Sequence, residues 1–248
     1  MFDHPWLNLL LPSRCPLCGV RVTDKYSLCE SCWQCLPLQP LQLCHRCGEE
    51  VTMALPNGCG FCRERLLIQD RTICAFPYEP PVSSLLLGAK FADKNRWAAI
   101  IASWGWLRCH EQLRELNIEG VVPIPLHAKR LRQRRFNQSA LLAGQLAKRL
   151  EKPLWTDNLT RHRMTRPQTR LDRKQRQANV MNSFLAQFDA SPPQHLLLVD
   201  DTMTTGATVS EAAKALKQAG VQEVTVMVMA KAMNHGMALH QRTPFTIP

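Results

Sequence analysis

HLLLVDDTMTTGATVSEAAKALKQA, residues 195–219, decides the fold class. Leu196 to Val199 form a short apolar run of the kind carried by a strand buried on both faces. Asp200 and Asp201 stand where that strand is expected to end, and TMTTGAT follows. From Val209 the apolar positions recur at helical spacing (Val209, Ala212, Ala213, Leu216, Ala219), and Gly220 reads as the stop. A strand, a short Thr/Gly loop and a helix beneath it make a phosphate site by construction. Unpaired N–H groups of the first helical turn point into the loop, and the helix dipole favours an anion there. Gly206 lets the backbone approach closely, while the hydroxyls of Thr204, Thr205 and Thr208 add donors. Two carboxylates repel a phosphate, so they are expected to face vicinal ribose hydroxyls or a bridging metal. The stretch has neither the Gly-Lys-Ser/Thr of a Walker A loop nor a GxGxxG.

Downstream, Val221 to Lys231 is a second buried strand, which makes a right-handed βαβ unit with the first. Upstream, Ile118 to Pro125 (IEGVVPIP) is a strand ended by its prolines. The basic run Lys129, Arg130, Arg132, Arg134, Arg135 then leads into a helix over Gln138–Leu150. Asn137 is its N-cap, and Leu142, Leu146 and Leu150 are its buried stripe. Cations just beyond a strand's carboxyl end lie on the face where α/β sheets bind ligands. A second basic segment, RHRMTRPQTRLDRKQR over Arg161–Arg176, lacks apolar periodicity before Leu171, so Arg161–Thr169 is expected to be a mobile loop. Earlier still come a strand over Asp70–Tyr78 and helices over Val82–Leu87 and Arg96–Leu113. The longer helix is apolar on most sides (Trp97, Ala98, Ile100, Ile101, Trp104, Trp106, Leu107), which places it in the core and makes its tryptophans packing residues in preference to a base-stacking platform.

The 248 residues suffice for one or two domains with a real core. A net charge of +11 points to polyanionic partners: nucleic acid, phosphorylated substrates or an anionic membrane surface. No apolar run reaches the roughly eighteen residues of a membrane span. The amino terminus MFDHPWLNLLLP lacks a basic n-region, so a cytoplasmic protein is the expectation.

Eleven cysteines are explained by their spacing. Cys15-x2-Cys18, Cys29-x2-Cys32, Cys44-x2-Cys47 and Cys59-x2-Cys62 are four two-residue knuckles in the first quarter of the chain. Two such knuckles complete a tetrahedral shell of four thiolates with no open position, which makes each site structural. Zinc suits this donor set best. An iron–sulfur cluster fits it less well, and disulfides are rarer still in a cytosolic chain. Sequential pairing gives two tandem zinc ribbons. Cross-bracing of alternate knuckles satisfies the spacing too, because eleven residues lie between Cys32 and Cys44, as between Cys47 and Cys59. Cys35, Cys74 and Cys109 remain as structural thiols, with Cys35 near enough to the first site in sequence to substitute for a ligand. The change in character near Leu66 divides a double ribbon over 1–66 from an α/β domain over 67–248.

VDDTMTTGAT resembles the phosphoribosyl pyrophosphate (PRPP) motif of type I phosphoribosyltransferases. A wider set of segments resembles the ComF family of competence and DNA-utilisation proteins: LLLPSRCPLCG, CHRCG, CGFC, Lys90-Phe91, VPIPLHAKRLRQRRFNQS and TRPQTRLDRKQRQANV. The fold this implies is a type I phosphoribosyltransferase-like parallel sheet flanked by helices, preceded by a small tandem zinc-ribbon domain. The same resemblance implies PRPP-binding residues Asp200, Asp201, Thr202, Thr204, Thr205, Gly206, Ala207 and Thr208, the acids for ribose and the loop for the 5′-phosphate. Pyrophosphate or DNA phosphate would fall to Lys129, Arg130, Arg132, Arg134, Arg135, Arg163 and Arg166. Mg²⁺ would accompany PRPP. One departure is visible: the family usually carries Gly before Phe-Asn-Gln, and this chain has Arg135 there, which puts the local turn in question.

The implied function is to bind PRPP and handle single-stranded DNA in natural transformation or the use of external DNA. Implied partners are a competence helicase or the DNA-uptake machinery, in the cytoplasm or peripheral to the inner face of the membrane. The alternative is an active phosphoribosyltransferase of nucleotide salvage. No segment of the sequence identifies an acceptor pocket, so the reading of the residues leaves open whether PRPP is turned over.

Overall fold

The structure, a computed structural model, describes residues 13–23, 27–37, 42–53, 57–63, 67–88, 94–164 and 173–232. Two short helices, α1 (Glu30–Gln34) and α2 (Gly60–Arg63), belong to the cysteine-rich segment. Then come β1 (Arg71–Pro77), α3 (Val82–Gly88), α4 (Lys94–Arg114), β2 (Gly120–Pro123), α5 (Ala128–Arg134) and α6 (Gln138–Leu150). The chain continues through β3 (Leu159–Arg161), α7 (Arg173–Val180), β4 (Phe184–Ala186), β5 (His195–Met203), α8 (Ala207–Gln218) and β6 (Glu223–Lys231).

Four of these strands form a sheet in the order β1-β6-β5-β2, every pair parallel. Side chains alternate across it, as the pleat requires. Ile73, Ala75, Val121, Leu197, Val199, Met227 and Met229 pack with α3, α4 and α6 on one face. Cys74, Val122, Leu196, Leu198, Val224, Val226 and Val228 pack with α8 on the other. Both faces are covered, which is why the central strands read as unbroken apolar runs. Beyond β2 the backbone of residues 153–155 extends the sheet: Val121 N donates to Pro153 O at 2.9 Å and Trp155 N to Val121 O at 2.9 Å.

Several expectations are refined. The central strand does not end at Val199 but runs to Met203, because β6 is equally long and pairs with it as far as Met203↔Lys231. Both aspartates therefore lie within β5. The basic run itself forms a separate helix, α5, ahead of α6, and its left-handed C-cap is Arg135 with φ 63°. The turn that glycine would ordinarily make survives with an arginine in it. Helix α6 has the expected bounds, and the Asn137 side chain accepts from Ser139 N at 3.1 Å. Arg161, expected in a mobile loop, is part of a small antiparallel hairpin, β3 with β4; residues 165–172, with Arg166, lie outside those described, as do Lys90, Phe91 and the tail from Met233. Trp104 is fully buried, as a core tryptophan should be, whereas Leu107 faces solvent at 55% exposure. Among the described residues no helix is long and apolar enough to cross a membrane.

The cysteine-rich segment folds as two copies of one design. In each, the first knuckle is a tight turn closed by backbone bonds: Gly19 N to Cys15 O at 2.9 Å and Cys15 N to Val20 O at 2.7 Å, matched by Gly48 N to Cys44 O at 2.8 Å and Cys44 N to Glu49 O at 2.8 Å. Gly48 has φ +67°, and a β-carbon there would lie 2.5 Å from the Cys74 sulfur of β1, so the turn itself presses on the sheet edge. The first copy packs on the helical side: Leu36 is buried in the α3–α4–α6 core, and the Arg108 guanidinium stacks over both Trp33 and Phe76.

Candidate functional site

β5 delivers its two acids to the carboxyl end of the sheet, and the chain then turns through Thr204 and Thr205 into α8. Gly206 is the helix N-cap in a left-handed conformation, φ +81°, so the first-turn N–H groups open toward the loop. Thr205 Oγ1 accepts from Ala207 N at 3.4 Å. Val209, Ala212, Ala213 and Leu216 bury the opposite side of α8 and anchor the loop from below.

Asp200 sits at the floor of this cleft. Ser139 Oγ, in the first turn of α6, donates to Asp200 Oδ1 at 2.8 Å, and Asp201 N donates to the same oxygen at 2.9 Å. Asp201 Oδ1 accepts from Thr202 N at 2.7 Å. Burial, reinforced by the neighbouring Asp201 charge, pushes the Asp200 carboxyl up to about 8, against the pull of the Ser139 and Asp201 donors. At neutral pH Asp200 is therefore held largely protonated until a cation or a donor group arrives.

Arginines lie opposite the acids. Arg161 on β3 stacks on Phe184 of β4, and its guanidinium is brought down to about 10, first by burial and then by the Arg130 charge, with Asp200 working against both. Arg130 is lowered in turn by burial and by Arg134. Arg161 thus feels both Asp200 and Arg130, and Arg130 feels Arg134. Lys129, Arg132 and Arg135 line the exposed side of α5, and Arg163 turns away to donate to Met181 O at 3.3 Å. Ser139 and Arg161 were not singled out as site residues by their sequence. The FNQS run carries Ser139 on the turn after a visible N-cap, and that is the signal available for it.

The eight knuckle cysteines form two clusters, Cys15/Cys18/Cys29/Cys32 and Cys44/Cys47/Cys59/Cys62, with ligand atoms in each all within 4.8 Å of one another. Sequential pairing holds, and Cys35 belongs to neither cluster. Sulfur separations of 3.5 Å (Cys18–Cys29, Cys47–Cys59), 3.6 Å (Cys44–Cys62) and 3.8 Å (Cys59–Cys62) match the edge of a tetrahedron of thiolates; Zn–S bonds of about 2.3 Å give an edge of about 3.8 Å. Cys15 and Cys44 come down to about 7 because backbone N–H groups outweigh the opposing burial. Burial and neighbouring thiols push Cys32 and Cys47 upward. Four crowded thiols cannot all ionise unaided, and a divalent cation is what such a cluster accommodates.

A double zinc ribbon domain matches residues 6–63, and a phosphoribosyl transferase domain matches residues 137–243. Ribbons fused to a parallel α/β domain of that fold define the class. The chain belongs to the ComF family of competence and DNA-utilisation proteins. It is 30% identical over 213 residues to competence protein F of Haemophilus influenzae, covering 84% of this chain and 92% of that protein. It is 31% identical over 239 residues to the DNA utilization protein YhgH of Salmonella typhi, covering 91% and 100%. To competence protein ComFC of Streptococcus pneumoniae it is 24% identical, covering 84% and 89%.

Proposed function

We propose that this protein binds PRPP with Mg²⁺ at the carboxyl end of β5 and handles single-stranded DNA across the adjoining basic face, in the use of external DNA. The observation that carries this reading is the loop of Thr204, Thr205 and Gly206 at the foot of α8, with Asp200 and Asp201 on one side and Arg130 and Arg161 on the other. Asp200 and Asp201 would take the ribose hydroxyls, and Thr202 and Thr204–Thr208 the 5′-phosphate. Lys129 and Arg130 would face pyrophosphate, and Arg132, Arg134 and Arg135 DNA phosphates; Arg163, bonded to Met181 O, would have to swing back to join them. Mg²⁺ would arrive with PRPP and would supply charge neutralisation for the pyrophosphate. The relatives' names, competence protein and DNA utilization protein, support a setting in the use of external DNA; the work would then fall in the cytoplasm beside the uptake machinery.

A salvage phosphoribosyltransferase is the second reading. It draws on a narrow apolar cleft of Leu86, Ala98, Ile101, Phe136 and Leu142 that Asp201 also lines; the cleft would have to widen to admit an acceptor base. Calorimetry with Mg–PRPP tests the first reading: micromolar or tighter binding is expected, abolished by Asp200→Ala with Asp201→Ala. Unchanged affinity in the double variant refutes it. Pyrophosphate release from PRPP with a panel of free bases, with and without single-stranded DNA, separates binding from turnover.

A further inference from the structure

The second zinc ribbon does not hang from the α/β domain; it is built into the foot of the phosphate loop. Leu67, 8% exposed, packs against Cys44, Cys47 and Cys59. The same side chain seats Gly206: a β-carbon on that glycine would stand 3.3 Å from Leu67 Cδ2. Beside this contact runs an unbroken hydrogen-bond chain. Ser210 Oγ, in the first turn of α8, accepts from Ile68 N at 3.2 Å and donates to Gln69 Oε1 at 2.8 Å. Gln69 Nε2 donates to Thr72 Oγ1 at 3.3 Å, and Thr72 Oγ1 donates to the carbonyl of Arg46, between Cys44 and Cys47, at 2.7 Å. Arg46 reaches back to donate to Leu67 O at 3.2 Å. On the loop's other flank Ala232 N donates to Met203 O at 2.9 Å, and the adjacent Lys231 is locked by a fully buried ion pair, 2.8 Å, to Glu49 of the same knuckle.

We infer that Leu67 and Ser210 are positioning residues through which the Cys44/Cys47/Cys59/Cys62 ribbon fixes the loop Thr204–Gly206 in its anion-binding geometry. The ribbon acts at one remove, by setting where the amides of the loop point. Among the described residues, the first ribbon packs against α4 and makes none of these contacts. The inference rests on the reading of Thr204–Thr208 as the 5′-phosphate site, and it extends that reading by making phosphate affinity depend on one of two otherwise equivalent zinc ribbons. A misplacement of about 1 Å in such a site can cost on the order of a hundredfold.

The test uses the full-length, zinc-loaded protein and two simple probes, ribose 5-phosphate for the loop and inorganic pyrophosphate for the basic face. Leu67→Ala is expected to weaken ribose 5-phosphate about tenfold while pyrophosphate stays within about twofold, within the span that a loosened loop allows. Amide exchange over residues 204–209 should quicken while β5 and β6 remain protected. Leu67→Met should restore both, and Ser210→Ala should give the same pattern in weaker form. Wild-type exchange and affinity in Leu67→Ala would overturn the inference, as would equal loss of both probes with exchange rising throughout the domain. If the unaltered protein binds neither probe, the proposed function falls. Selective quickening at 204–209 would still uphold the positioning role, and its absence would still overturn it.

Discussion

Asp200 is the residue on which the chemistry of the cleft turns. Its carboxyl is raised to about 8, chiefly by burial, so the folded protein prefers it neutral. An unfolded aspartate titrates near about 3.9. The stability this group contributes is therefore complete below about pH 4 and is lost as pH rises through about 8. Ribose hydroxyls and metal ions both prefer the ionised form, so Mg–PRPP affinity should climb between pH 6 and pH 8 and level off above. Binding at pH 7 should release a proton, measurable by calorimetry in buffers of different ionisation enthalpy; an enthalpy independent of buffer would refute this. Arg135 is the second residue with a cost attached. It holds the left-handed cap of α5 at φ 63°, where a β-carbon costs roughly 1–2 kcal/mol. Arg135→Gly should therefore be about 1 kcal/mol more stable than Arg135→Ala, which removes the same charge but keeps the β-carbon. Urea denaturation of the pair decides it, and equal midpoints would show that the turn carries no strain.

At the scale of elements, what the sequence disclosed follows from how local the cause was. The β5–α8–β6 unit, α6 with its Asn137 cap and the four knuckles each rest on spacing within about a dozen residues, and each was legible. The end of β5 was misread because Asp200, Asp201 and Thr202 are polar where the strand enters the cleft, and polarity looks like a strand's end. α5 was hidden because it buries none of its residues and so has no stripe. The β3–β4 hairpin has only three residues per strand, too few to alternate. The docking of the second ribbon could not be read at all, since Glu49 and Lys231 come from opposite ends of the chain. That pair makes its own prediction. Lys231 is wholly buried and Glu49 is 1% exposed. Lys231→Met should cost about 3–5 kcal/mol by stranding a buried carboxylate, whereas Lys231→Met with Glu49→Leu should recover most of the loss. Equal destabilisation in single and double variants would mean that the pair itself, and not the stranded charge, holds the ribbon down.

For the whole molecule the deciding quantity is charge. The chain carries a net +11, and α5 with its C-cap Arg135 presents Lys129, Arg132 and Arg134 outward beside the cleft in which Arg161 feels both Asp200 and Arg130. A surface of this kind would hold single-stranded nucleic acid by displacing counterions, with little regard to sequence. Log affinity should then fall linearly with log salt, by about 0.7 per phosphate contact. Roughly four to six contacts predict a slope of about −3 to −4. Replacing Arg132, Arg134 and Arg135 together with glutamine should flatten the slope by roughly two units and weaken all sequences alike, because no base is being read. Since pyrophosphate would draw on Arg130 and Lys129 of the same helix, Mg–PRPP should compete modestly with the strand at low salt. Fluorescence anisotropy with a labelled oligonucleotide, from about 50 to 200 mM salt, gives the slope directly. An affinity indifferent to salt, or no binding at the lowest salt, would assign these cations to pyrophosphate alone and leave the +11 balance without a nucleic-acid partner.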